Sequence, residues 1–163
     1  MRESIDTFSG EFAWLSNFHM EPVSIDLLGV YLNPPADTTI GIIYPSVEHS
    51  YQAAKAVDIK DHRAIAAALT PGQSKKLGRN VKAWSDWDRR RIPVMKACLN
   101  AKFAFGTELA DKLLSTEGMQ LVEGNYWGDR FWGVCEGQGL NMLGNLLMAR
   151  RETLRLLKNQ SPD

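Results

Sequence analysis

Apolar and polar positions change period along the chain, and each change predicts an element. From about Asn141 to Leu157, Leu143, Leu147 and Leu154 form one ridge at helical spacing, which Leu146 and Leu156 widen. Ile92, Met95, Leu99 and Phe103 repeat that spacing behind Ser85-Asp86-Trp87-Asp88, a helix opening. Pro93 falls inside this helix and predicts a kink or a division, because proline removes one hydrogen bond and crowds the preceding turn. Ser46 caps a helix through Glu48, Tyr51 and Lys55, and a second helix holds Ile65, Ala68 and Leu69. Thr70-Pro71-Gly72-Gln73 reads as a capping box with proline at the first helical position, and Gly78 as the stop. Leu109, Leu113 and Leu114 mark a short helix. Alternation from Val23 to Leu27, the turn Asn33-Pro34-Pro35-Ala36-Asp37 and β-branched residues from Thr39 to Tyr44 predict a hairpin over roughly 23 to 44. Leu121 to Gly128 reads as strand into turn, and Phe131 to Cys135 as a second short strand. The expected fold is α+β: one predominantly α-helical domain over 1–163 with a small antiparallel β element.

Charge narrows the function. Nineteen basic residues balance nineteen acidic ones, which argues against broad electrostatic capture of nucleic acid or an anionic membrane and leaves room only for a local basic groove. No apolar run spans a bilayer, and the acidic, polar N-terminus does not read as a signal peptide, so a cytoplasmic protein is expected. Cys98 and Cys135 are then expected as free thiols. His19, His49 and His62 follow no metal-binding spacing, so no metal is expected.

Three places could carry chemistry. On a helix, Glu48, Gln52 and Lys55 fall within about 40° of one line, so a carboxylate, an amide and an amine share a stripe. The ordinary reading is a solvated face with Glu48 favouring the helix N-terminus. Asn125-Tyr126-Trp127-Gly128-Asp129-Arg130-Phe131-Trp132-Gly133 crowds aromatics around one acid. It suits a flat ligand, or equally a core corner in which Asp129 caps a turn. Gly137-Gln138-Gly139-Leu140-Asn141-Met142-Leu143-Gly144 starts like a dinucleotide fingerprint, but Met142 replaces the third glycine and only 19 residues follow Gly144. A Rossmann unit is excluded. What remains is a glycine-rich turn that either offers helix-end amides to a phosphate or simply packs tightly. Arg89-Arg90-Arg91 points in three directions and reads as a solvated face. Trp87 fits a stacking platform or core.

Taken together, several blocks resemble the NADAR superfamily, the YbiA-like proteins. They are Leu15-Ser16-Asn17-Phe18; Tyr44-Pro45-Ser46-Val47-Glu48-His49 with Tyr51-Gln52-Ala53-Ala54-Lys55; Trp87 before Met95; and Ala101-Lys102-Phe103. Trp127-Gly128-Asp129 with Phe131-Trp132-Gly133, and Gly139 to Gly144 with Leu147-Met148 and Arg151, complete the set. The resemblance runs from about Phe8 to Leu157. It implies a compact, mainly helical fold with small β pieces and N-glycosidase activity on a ribosyl linkage, without cofactor. One branch of that family cleaves phosphorylated riboflavin-pathway intermediates. Another removes ADP-ribose from guanine in nucleic acid, in some cases as antitoxin to a guanine ADP-ribosyltransferase, which would be a partner. The Pro34-Pro35 hairpin and the Glu123-Gly124-Asn125-Tyr126-Trp127-Gly128-Asp129 block resemble the second branch, so ADP-ribosylated guanine is the expected substrate. The alternatives are a ribosylaminopyrimidine phosphate, or a silent ADP-ribose reader. The resemblance implies Glu48, Trp87, Asp129 and Trp132 as functional positions, with Lys55 in the same helical block; the expected catalytic residues are Glu48, Lys55 and Asp129, and the expected substrate-binding residues Asn17, Trp87, Trp127, Trp132, Gly139 and Asn141. Leu15 replaces the family's usual phenylalanine, and Pro93 interrupts a helix that is usually continuous.

Overall fold

Capping side chains set most helix starts in the computed structural model, which describes residues 3–27 and 42–160. Ser46 Oγ accepts the His49 amide and opens α1 (Val47–Lys55). Asp58 caps α2 (Ile59–Ala66) through the Lys60 amide, and Thr70 caps α3 (Pro71–Asn80) through that of Gln73. Gln73 Oε1 reaches back to the Leu69 amide, which explains why Ala68 and Leu69 lie beyond α2 instead of within it. Leu69 serves the next helix's cap, and its side chain is exposed. Gly78 does not stop α3, which runs on to Asn80. Its role is a close approach to the Gln52 side chain of α1.

Helix α4 (Trp87–Lys102) is a single element with Pro93 inside it. The expected division does not occur, and Pro93 lies on the exposed side. Thr107 caps α5 (Glu108–Leu114), and α6 (Met142–Gln160) closes the described chain. Leu143, Leu147 and Leu154 are its buried ridge, whereas Leu156 is half exposed.

Strand pairing is minimal. β2 (Val23–Ser24) pairs antiparallel with β3 (Ile43–Tyr44), the base of the expected hairpin. The Asn33–Asp37 turn lies outside the described residues. β1 (Ser4–Ile5) pairs with β4 (Gln120–Leu121) and β5 (Gly124–Asn125) with β6 (Val134–Cys135), both in parallel. Strands of two residues carry too little alternation to reveal such partners in sequence.

The chain packs as two compact units, Asn17–Lys102 and Met1–Ser16 with Phe103–Asp163. In the first, α2, α3 and α4 pack around α1. In the second, α6 packs on α5 and β4 over a core of Ile5, Leu15, Phe103, Leu113, Leu121, Leu147 and Leu154. Cys98 and Cys135 are buried free thiols.

His62, in the core of the first unit, has Nε2 2.7 Å from the Tyr44 hydroxyl. Burial lowers its pKa from 6.5 to about 4, against a smaller opposing effect from its bond to the Ala53 backbone. The unfolded chain therefore binds a proton that the folded one does not between those values. Stability should fall as pH drops from 6.5 towards 4, and Gln at position 62 should flatten that slope in urea titrations. An unchanged slope would mean that His62 is protonated in the fold.

Candidate active site

Helix α1 is enclosed on nearly every side: Val47 through Ala54 are all buried. The solvated face expected for the Glu48 stripe is therefore absent. Glu48 is 6% exposed and Gln52 7%, and Lys55 is half-buried in the last turn. A buried carboxylate must be hydrogen-bonded. Gln52 Nε2 donates to Glu48 Oε1 at 2.8 Å, and the Glu48 amide donates to the Asn17 carbonyl at 3.1 Å. Asn17 is buried too, with Nδ2 3.6 Å from Met95 Sδ, while its Oδ1 has no hydrogen-bond partner among the described residues. Leaving such an acceptor unmet costs roughly 1–3 kcal/mol, and a ligand hydroxyl or N–H could satisfy it.

Lys55 holds its proton less tightly than an ordinary lysine. Burial is the main cause and the Arg79 charge adds to it, with Glu48 opposing. Its neutral, nucleophilic form is correspondingly more accessible than on an exposed lysine. Trp87 lies against Tyr51, ring centroids 5.3 Å apart and planes at 54°. The structure thus brings Asn17, Glu48, Gln52, Lys55 and Trp87 into one unit built around α1.

The other expected residues belong to the second unit, in the loop from Asn125 to Asn141. Asp129 Oδ1 accepts the amides of Phe131 at 3.1 Å and Trp132 at 2.9 Å, so the acid caps a turn. Asn125 braces the same loop: its Nδ2 donates to the Asp129 carbonyl and its Oδ1 accepts the Asp129 amide. Gly128 has φ +87°, a conformation that disfavours any side chain. Trp132 stands edge-on to Phe131 with centroids 4.8 Å apart, and Trp127 is 57% exposed beside Tyr126. Asp129→Asn keeps an acceptor for both amides and removes only the charge. It should stay folded by circular dichroism yet lose turnover, and an unfolded protein would reduce Asp129 to a turn cap.

At the start of α6 the free amides expected for a phosphate are already engaged. Leu140, Asn141, Met142 and Leu143 donate to the carbonyls of Arg130, Gly133, Phe131 and Trp132. Gly139 packs against the Gly133 carbonyl, where a Cβ would come within 2.1 Å. Asn141 has φ +49°, and its side chain donates to the Leu121 carbonyl at 2.8 Å and accepts the Glu123 amide at 3.0 Å. Asn141→Ala should therefore cost about 2–3 kcal/mol in urea unfolding, since both backbone groups lose their partner. An unaffected midpoint would free that side chain for ligand.

Arg90 and Arg91 pair locally with Asp86 and Asp88, as a solvated face does. Among the described residues no group of three or more His, Cys, Asp or Glu is placed to hold a metal ion. No helix of the described chain is long and apolar enough to cross a membrane. Sequence reasoning missed Arg79 and the real role of Gly78. Arg79 carried no signal, but a glycine inside a capped helix was a pointer to close packing.

The family model described as NADAR domain matches residues 7–155. N-glycosidase YbiA of Escherichia coli (strain K12) is 32% identical over 164 residues, covering 97% of this chain and 93% of that protein. N-glycosidase Npun_R5314 of Nostoc punctiforme is 38% identical, covering 70% and 76%. Riboflavin biosynthesis protein VVA0006 of Vibrio vulnificus is 37% identical over 75% of this chain, which spans only 34% of that protein's length. The NMR structure of E. coli YbiA superposes with a TM-score of 0.81 at 30% identity, covering 100% of this chain and 92% of that one.

Proposed function

The chain belongs to the NADAR family, and on that premise we propose that it is an N-glycosidase hydrolysing a ribosyl–base bond, with ADP-ribosylated guanine in nucleic acid as substrate. The observation that carries the reading is the buried, hydrogen-bonded Glu48 on the same helix as Lys55, whose proton affinity is lowered. Relatives named N-glycosidase support the reaction class.

Breaking a ribosyl C–N bond develops positive charge on the anomeric carbon and ring oxygen. A carboxylate fixed in a water-poor site stabilises that charge more than one in solvent. Glu48 takes this role. Lys55, as the neutral amine, bonds to the anomeric carbon while the carbon–base bond breaks, and a proton released from its nitrogen leaves with the base. The ring C–O bond then opens to a Schiff base, the remaining nitrogen proton passing to the ring oxygen. Water hydrolyses the imine and restores the amine. In the same unit as Glu48 and Lys55, Trp87 stacks on base or adenine, and the open acceptor of Asn17 takes a ribose hydroxyl.

A second substrate has its own support: the riboflavin-biosynthesis names of relatives 37% identical to this chain favour a ribosylaminopyrimidine phosphate. Product analysis after incubation with ADP-ribosylated DNA and, separately, with that phosphate separates the two. Release of ADP-ribose from the DNA at the higher kcat/KM is expected. Preferential release of ribose 5-phosphate from the pyrimidine would move the chain to the other substrate. Binding of ADP-ribose without turnover of either would leave only the reader.

A further inference from the structure

We propose that Gln52 is a positioning residue that fixes the Glu48 carboxylate in its working orientation, and that Gly78 of α3 is the glycine that makes room for it. The inference rests on the reading of Glu48 as the charge that stabilises the reacting sugar.

Two local costs converge on this one side chain. Gln52 is buried and its Nε2 serves Glu48, but its Oε1 has no hydrogen-bond partner among the described residues. A buried acceptor left unmet is expensive, and an apolar side chain of similar length would avoid the cost. The amide is also held one way round, because turning it over would set its oxygen against the carboxylate at the same distance. Gly78 carries the second cost. A glycine inside a helix is less favourable than alanine by about 1 kcal/mol. Yet a Cβ there would lie 2.1 Å from Gln52 Oε1 and 2.9 Å from its Cδ. The amide is thus clamped between a glycine on α3 and the carboxylate on its own helix. Both features worsen local stability, and both favour one orientation of Glu48. Orientation matters because misplacing a catalytic group by about 1 Å can cost on the order of a hundredfold in rate.

Gln52→Met keeps the length and removes the donor, and Gly78→Ala pushes the amide from its seat while leaving it in the chain. On ADP-ribosylated DNA each folded variant should lose kcat, Gln52→Met by about 10- to 100-fold, with KM changed by less than about threefold. In single turnover on a Glu48→Gln background, Gln52→Met should remove less than about twofold more, since the carboxylate it orients is gone. A purely structural role would subtract equally from both backgrounds and overturn the proposal, as would near-normal kcat in folded Gln52→Met. If Gln52→Met fails to fold, Gly78→Ala carries the same comparison. Near-normal turnover of Glu48→Gln itself overturns the reading of Glu48 together with this one. Full loss in Glu48→Gln beside normal turnover in Gln52→Met overturns this one alone.

Discussion

Glu48→Gln is expected to fold normally and to lose turnover by about two to three orders of magnitude, comparable to the loss when one preorganised donor is removed from an oxyanion hole. The substitution is nearly isosteric, and residue 48 is buried beside Gln52, so shape is retained while the charge disappears. Two amides side by side can still form one hydrogen bond, which protects the packing of α1. Loss of rate with an unshifted urea midpoint is therefore the signature of electrostatic stabilisation. Equal losses of rate and stability would instead mean that the carboxylate mainly holds the helix in place.

Lys55→Arg is expected to lose about as much activity as Lys55→Met. Arginine keeps the positive charge but cannot become a neutral nucleophile at accessible pH. Burial and the charge of Arg79 lower the pKa of Lys55, and this matters only if the amine must shed its proton. Borohydride added during turnover should reduce the imine and leave a sugar on Lys55, located by mass spectrometry of a digest. A Lys55→Arg protein that turns over well, together with no adduct, would leave Lys55 as a charge that binds phosphate or Glu48.

What could be read in the sequence was local. Ser46, Thr70 and Thr107 announce their helices because a capping hydroxyl acts within three residues. The leucine ridge of α6 is legible because one periodicity lasts for several turns. Gly78 misled because its reason lies in a different helix: it is small for Gln52, not for a turn. The burial of Glu48 was equally hidden. A stripe of Glu, Gln and Lys reads as solvated until three helices close around it, and that closure is tertiary. Asp129 left two readings open, and the structure gives it the turn. Asn141 and its neighbours show the same limit. A glycine-rich approach to a helix offers free amides only if no carbonyl arrives first, and four arrive from residues 130 to 133.

The most direct test is a single incubation of the protein with ADP-ribosylated guanine DNA in water enriched in heavy oxygen, followed by mass spectrometry of sugar and base. Unmodified guanine in the DNA and free ADP-ribose carrying one heavy oxygen at its anomeric carbon are expected. Heavy oxygen in a phosphate with the ribose still attached to guanine would contradict the proposed hydrolysis, since water would then have cut the pyrophosphate and not the ribosyl C–N bond.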